Sequence, residues 1–450
     1  MRIHLIAIGG SIMHNLALAL QRQGHAISGS DDEIYEPARG RLAAAELLPA
    51  QMGWDDERIT ADLDLIILGM HAREDNPELK RAQELGVSIQ SFPEFIHAQS
   101  KEKRRVVVAG SHGKTTTTAM ILHVLKELDY DFDFLVGAQL EGFDLMVKLS
   151  DAPILIVEGD EYLSSAIDRI PKIWHYHPHI TIITGIAWDH MNVFPTFADY
   201  RHAFSHYLET LEAAAHVFYS GEDEILGQVV TEHSGDLKAE VYFPFDSFIE
   251  AGKTFIRLAG ITAPLRVFGR HNLSNLRAAY LVLKELGVQD EQFLLSIQGF
   301  SGAAKRQQLL GSREDLLIYQ DFAHAPSKVR ATVKALAEQY PDRHLVACLE
   351  LHTYSSLNKA FLPLYSGALQ HSDTAIVFVS DHTLEMKRRP PISNEELVEF
   401  FGRGDLVVCR NRGQIELVLE AHKWEQTNLL LMSSGTFDGL DLKRLVAEIL

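Results

Sequence analysis

Cysteine is almost absent from this chain: Cys348 and Cys409 are the only two in 450 residues, each inside an apolar, strand-like run. A disulfide framework is therefore excluded and a reducing compartment is expected. No apolar run approaches the ~18 residues that a membrane-spanning helix requires. Met1-Arg-Ile-His-Leu-Ile leads directly into a strand without the pattern of a signal peptide, so a cytoplasmic protein without membrane insertion is expected. Positive charge is also short. Lys and Arg number 42 against 61 Asp and Glu, a formal net charge of −19, which argues against a nucleic-acid partner or an anionic membrane surface. Internal repeats, heptads and low-complexity tracts are missing too. What is present is 46% hydrophobic residues over a length that implies about three cores.

The most informative stretch is Val106-Val-Val-Ala-Gly-Ser-His-Gly-Lys-Thr-Thr-Thr-Thr118. Apolar, mostly β-branched residues run into Gly110, Ser111, His112 and Gly113. Lys114, Thr115 and Thr116 then open a segment with apolar residues at Met120, Ile121, Val124, Leu125 and Leu128, the periodicity of a helix. A strand, a glycine loop and a helix N-terminus together form a cradle for a phosphate chain, with Lys114 as a cation for the outer phosphates and Thr115 as an oxygen donor to Mg²⁺. The common G-x-x-x-x-G-K-[ST] spacing is not met, because it would require glycine at Val108.

Residues 1 to about 100 alternate strands and helices: Arg2 to Ile8, the Gly9-Gly10-Ser11 turn, a helix from Ile12 to Gln23, and a second strand ending in Asp31. This is a nucleotide-type parallel sheet with an anion site at its first turn and an acid able to accept from a ribose or sugar hydroxyl. Ala7 and His14 stand where glycines would complete a dinucleotide fingerprint. The polar run 99–105 marks a boundary. Beyond it, two strands end in Glu158-Gly-Asp160-Glu161 and Trp188-Asp189-His190, at the carboxyl edge where open α/β sheets bind ligands; carboxylates there, beside a triphosphate, are positioned to hold Mg²⁺, with His190 at a second metal. Asn272 and Asn275, read as lying just before a helix from Leu276 to Gly287, are either caps or readers of a base or ribose. Lys305 and Arg306 form a cationic loop. A last alternation from 312 carries Asp321 and His324 at a strand end.

Gly110-Ser-His-Gly-Lys-Thr-Thr-Thr, Glu158-Gly-Asp-Glu, Asp189-His190-Met, Gly269-Arg-His-Asn-Leu-Ser-Asn275, Lys305-Arg306 and Asp321-Phe-Ala-His324-Ala-Pro resemble, in order and spacing, the motifs of the Mur ligase superfamily. The resemblance implies an α/β, three-domain architecture. A Rossmann-like domain over 1–101 would bind UDP-N-acetylmuramate, a central P-loop-type ATPase domain would cover 102–311, and a Rossmann-like domain over 312–450 would bring the amine substrate. ATP and Mg²⁺ are the implied cofactors. Lys114, Glu158, His190, Arg306 and Asp321 would be catalytic. ATP would be bound by Gly110, Ser111, His112, Gly113, Lys114, Thr115, Thr116, Asn272, Asn275, Arg306 and Asp321, and the metal by Thr115, Glu158 and His190. Gly10, Ser11, Ser30, Asp31 and Asn76 would meet the UDP-sugar, and His324 and His352 the amine substrate.

Within the superfamily, Gly29-Ser-Asp31, Asn76-Pro-Glu, Asp160-Glu161-Tyr162, His175-Tyr176 and Leu431-Met-Ser-Ser-Gly435 resemble the branch that adds the tripeptide L-alanyl-γ-D-glutamyl-meso-diaminopimelate in peptidoglycan recycling. The sister branch, which adds L-alanine in new synthesis, is similar in the first domain and in most central motifs but carries two arginines that clamp a free carboxylate where this chain has Thr353 and Ser356. The tripeptide is therefore the expected amine substrate, with L-alanine the alternative. Ala7, His14, Asn15 and Ala325 depart from the family pattern and motivate a rival of another class, a nucleotide- and UDP-sugar-binding protein without ligase activity. A nicotinamide-dependent oxidoreductase rests on the first sheet alone. Some members of the superfamily carry a carbamylated lysine soon after the position of His190. The stretch 191–206 contains no lysine, so bicarbonate is expected not to rescue variants in this region.

Overall fold

The computed structural model describes residues 1–188, 193–303 and 305–450. By its contacts the chain divides into two compact units, Met1–Phe243 with Ala278–Val288, and Pro244–Arg277 with Gln289–Leu450.

The first unit holds two sheets. The smaller is fully parallel, in the spatial order Ala26–Ser30, Arg2–Ile6, Leu65–Leu68, Ile89–Ser91. The larger has seven strands, ordered Lys238–Tyr242, His216–Ser220, Ile180–Ile183, Arg104–Ala109, Ile154–Glu158, Asp133–Leu135, Val147–Lys148, and only the last pairing is antiparallel. Val106 to Ala109 lie at its centre and are wholly buried, which is why the sequence shows a continuous apolar run rather than an alternation. The helix Lys114–Glu127 follows and buries Met120, Ile121, Leu122, Val124 and Leu125.

The second unit contains an antiparallel sheet, Ser247–Glu250, Lys253–Leu258 and Ile261–Leu265, and a six-stranded sheet ordered Gln308–Arg313, Leu316–Asp321, Thr427–Met432, His344–Glu350, Thr374–Phe378, Val407–Cys409. Its first strand is antiparallel and the rest are parallel. Cys348 and Cys409 are buried free thiols in this sheet, and burial raises the pKa of both.

Two sequence expectations need correction. The strand expected to run to Ile8 stops at Ile6, because Ala7 takes φ +68°, the left-handed turn conformation that glycine occupies at least cost. The first turn thus keeps a glycine-turn backbone although its sequence departs from the pattern. The helix expected from Leu276 begins instead at Arg270, directly after Gly269 at φ +87°. Asn272 and Asn275 lie inside its first turns rather than before it. Their carboxamides, poor helix formers when free, have partners that offset that cost.

Candidate functional site

The loop after the Arg104–Ala109 strand is shaped by two glycines in left-handed conformations, Gly110 at φ +119° and Gly113 at φ +80°. A Cβ on Gly110 would fall 2.3 Å from Thr184 Oγ1 and 2.8 Å from the Thr184 nitrogen, so a side chain has no room. The Ser111 N–H donates to Gly185 O at 2.8 Å, while the Ser111 hydroxyl is buried with no hydrogen-bond partner among the described residues. Thr184 Oγ1 lies 3.1 Å from Ala109 O and also against His112 O, tying the loop to the neighbouring strand's end. Lys114 opens the helix, whose first amides have no partner within the helix and are suited to an anion.

Lys114 Nζ donates to Gly110 O at 2.5 Å and to Glu161 Oε2 at 2.6 Å. Glu161 is fully buried, and its other oxygen accepts from Tyr200 OH at 2.9 Å. Burial alone would lower the Lys114 pKa, but the charges of Glu161, Asp160 and Glu158 outweigh it and the net shift is upward. The ammonium therefore stays charged. Beside it, Thr115 Oγ1 donates to Glu158 Oε1 at 2.8 Å, and the Gly137 N–H donates to Glu158 Oε2 at 2.7 Å. A hydroxyl and a carboxylate held side by side form the all-oxygen donor set that Mg²⁺ favours. Together with the side-chain-free cradle at Gly110 and the orphaned Ser111 hydroxyl, these residues fit a Mg²⁺-nucleotide. Thr116 is buried on the same helix. Asp189 and His190, the latter expected at a second metal, lie outside the described residues.

At the smaller sheet, Gly10 precedes the helix Ser11–Arg22 and Ser11 is exposed at its start. Asp31 Oδ2 accepts from the Gly9 N–H at 2.8 Å and Oδ1 from the Asp32 N–H at 3.0 Å. Burial pushes the Asp31 carboxyl up to about 6, against the lowering pull of the Gly9 N–H. Ser30 turns inward: its hydroxyl donates to Glu78, a fully buried carboxylate that also accepts from the Asp55 N–H at 3.0 Å. Asn76 Oδ1 accepts from the Leu79 N–H at 3.1 Å and caps the helix Pro77–Leu85. Asn15 Oδ1 accepts from the Met146 N–H at 3.0 Å, so this departure from the family pattern is a packing contact. A cleft of about 520 Å³ that the sequence did not disclose lies between the loop Met70 to Asp75 and a segment containing Tyr162, Ser165 and Arg169.

In the second unit, Asn272 Nδ2 donates to Phe268 O at 3.0 Å and to Gln307 Oε1 at 2.6 Å, and Asn275 Nδ2 lies 3.5 Å from Asn272 Oδ1. Gln307 is held in turn, its N–H donating to Asp321 Oδ2 at 2.7 Å, and Asp321 Oδ1 accepts from the Ala323 N–H at 2.7 Å. Arg306 stacks over the Phe322 ring at 4.5 Å. The structure thus gathers four expected residues, Asn272, Asn275, Arg306 and Asp321, around Gln307 and Phe322, which the sequence reading missed. Lys305 and Gln307 both take positive φ, +58° and +46°, a backbone strain that no sequence pattern signals for these residue types. His324 Nδ1 lies 2.8 Å from Phe322 O. His352 Nδ1 lies 3.7 Å from Glu350 Oε1.

Residues 2–104 match the Mur ligase family, catalytic domain, and residues 108–283 match the Mur ligase middle domain. A UDP-N-acetylmuramate--L-alanine ligase of Agathobacter rectalis is 32% identical over 388 residues, which span 83% of this chain and 82% of the relative. Among solved structures, the UDP-N-acetylmuramate-alanine ligase of Thermotoga maritima superposes with a TM-score of 0.72 at 22% identity, covering 100% of this chain and 98% of that one. The murein peptide ligase of Psychrobacter arcticus gives 0.66 at 21%, with the same coverage. Further curated relatives at 26–29% identity carry the L-alanine ligase name. These names overturn the tripeptide expectation in favour of its alternative. The expectation leaned on Thr353 and Ser356, and those two close a local turn on each other: the Ser356 N–H donates to Thr353 Oγ1 at 3.0 Å, and the two hydroxyl oxygens lie 3.0 Å apart. Residues engaged in this way say little about what else binds the substrate.

Proposed function

The chain belongs to the Mur ligase family, ATP-dependent and Mg²⁺-requiring carbon–nitrogen ligases, and from that premise we propose that it joins the carboxylate of UDP-N-acetylmuramate to the amino group of L-alanine. The observation that carries this reading is the 32% identity to an L-alanine ligase over 83% of the chain.

A carboxylate resists attack by an amine because it is anionic and has no adequate leaving group. Transfer of the γ-phosphoryl group of ATP onto a carboxylate oxygen gives an acyl phosphate and ADP. The amine nitrogen then bonds to the acyl carbon, and the carbon–oxygen bond to phosphate breaks. The protein's share is placement and charge neutralisation. The amides from Gly110 to Thr116 are the proposed phosphate cradle, with Lys114 as its cation, held charged by Glu161. Thr115 and Glu158 are the proposed Mg²⁺ donors, and the ion, when bound, neutralises charge on the phosphates. For the second unit the proposal assigns nucleotide contacts to Asn272, Asn275, Arg306 and Asp321, and amine-substrate contacts to His324 and His352. Gly10, Ser11 and Asp31 are the proposed contacts of the UDP-sugar.

Phosphate release measured with UDP-N-acetylmuramate, ATP and L-alanine should require all three. Failure of L-alanine to stimulate release would overturn the reading. Asp31 adds a pH dependence. Its carboxyl is ionised above about 6 and neutral below, and only the ionised form is acceptor-only toward sugar hydroxyls. KM for UDP-N-acetylmuramate should therefore climb by about tenfold per pH unit below pH 6 and stay level above it, the signature of one titrating proton. Asp31→Asn should flatten that profile; an unchanged profile in the variant would remove Asp31 from the site.

A further inference from the structure

Cations in folded chains are rarely left half-buried without a counter-charge, since desolvation is costly unless it is compensated. Lys387 and Arg389 are both half-buried, and neither has a carboxylate within ion-pairing distance among the described residues. Both approach one ring: Lys387 Nζ lies 5.0 Å and Arg389 Cζ 5.4 Å from the centroid of Tyr354, which is 57% exposed. Among the described residues, Lys387 donates only to a main-chain oxygen, that of His352. Among the described residues, Arg389 Nε is buried with no acceptor. The nearby carboxylate, Glu350, is 2% exposed and already engaged by the Phe437 N–H at 2.9 Å and the Ser433 hydroxyl. Burial and the like charge of Arg389 pull the Lys387 pKa down, with Glu350 opposing them. The group therefore carries a surplus of positive charge and, among the described residues, a buried guanidinium donor without an acceptor.

Its location also bears on function. Glu350 ends the strand His344–Glu350, His352 and Tyr354 follow it, and Lys387 and Arg389 follow the strand Thr374–Phe378 and the helix Asp381–Met386. Both strands are parallel neighbours, so the group stands at the carboxyl edge of the sheet, where ligands bind in open α/β folds.

We propose that Lys387, Arg389 and Tyr354 form a carboxylate-binding site that holds the free carboxylate of the amine substrate. This rests on the ligase reading above. A guanidinium fork gives bidentate contact and an ammonium a point charge, while the ring shields both from water on one side. The site supplies from a second loop the cationic contact that Thr353 and Ser356 do not provide.

The test is a phosphate-release panel in which L-alanine, other amino acids and L-alanyl peptides are each paired with the corresponding C-terminal amide, in the wild type, Lys387→Met, Arg389→Gln, Arg389→Lys and, as an exposed control, Arg388→Ala. The wild type should favour acid over amide by about tenfold or more, as expected for a charge-assisted pair. Lys387→Met and Arg389→Gln should raise KM for the acid by a similar factor, leave KM for ATP unchanged and erase the acid-over-amide preference. Arg389→Lys should retain part of it and Arg388→Ala all of it. If L-alanine is accepted but the acid-over-amide ratio survives in both charge-removing variants, the site is wrong and the L-alanine reading stands. If the wild type ignores L-alanine but accepts another amine of the panel, the L-alanine reading falls and the ratio for that amine still decides the site. A wild type that ligates no amine in the panel overturns both.

Discussion

Lys114→Ala is expected to lower ATP-dependent phosphate release by about a thousandfold or more, the scale seen when a preorganised donor to developing charge is lost from a water-poor site. Lys114 is a cation at the glycine cradle, bonded to Gly110 O within the loop itself and to the buried Glu161. Removing it leaves Glu161 as an uncompensated buried carboxylate, so some loss of thermal stability should accompany the loss of rate. A double variant, Lys114→Ala with Glu161→Gln, separates the two effects. It should regain stability, because the unpaired charge is gone, and should not regain activity, because the phosphate cation is still missing. Near-normal turnover in Lys114→Ala, measured with saturating UDP-N-acetylmuramate, ATP and L-alanine, would sink the assignment of this loop.

Glu158→Gln should produce the second-largest defect and a different kind of one. The carboxamide oxygen can still accept from the Gly137 N–H, now 2.7 Å from Oε2, so the fold should persist. The negative charge beside Thr115 Oγ1 is lost, and a hard divalent cation loses its anionic donor. Turnover at ordinary Mg²⁺ should fall by about a hundredfold, the upper range known for disturbing even the outer partners of a metal site. The diagnostic is the Mg²⁺ titration: half-maximal rate should need far more Mg²⁺ in the variant. A Mg²⁺ curve that overlays the wild type would take Glu158 out of the metal site.

These two residues also show where the sequence was readable. The strand, loop and helix around Gly110 were legible because β-branched apolar residues, glycines and a 3.6-residue period occur in one short stretch, where local physics decides the outcome. The Thr115–Glu158 pairing was legible because strand ends in a parallel sheet converge on one edge. The ion pair of Lys114 with Glu161 was not, because it spans 47 positions and depends on which of three neighbouring acids turns inward. The early start of the helix at Arg270 was hidden for another reason. His271, Asn272, Ser274 and Asn275 are weak helix formers, and only contacts such as Asn272 with Phe268 O and Gln307 stabilise them there. Ala7 misled in the opposite direction: a non-glycine residue adopts the glycine conformation, so pattern matching understated how well the turn is kept. The amine substrate was the least legible feature. In the proposed site its recognition is distributed over loops that follow different strands, and two positions, Thr353 and Ser356, could not stand for all of them.

The central claim is that this chain uses ATP to activate the carboxylate of UDP-N-acetylmuramate for attack by L-alanine. Incubating the protein with these three substrates and Mg²⁺, and identifying the products by mass spectrometry alongside released phosphate, tests it most directly. UDP-N-acetylmuramoyl-L-alanine, ADP and phosphate should form in equal amounts, with none formed when any substrate is left out. No amide product with L-alanine, or an amide formed only when a longer peptide replaces it, would contradict L-alanine as the substrate.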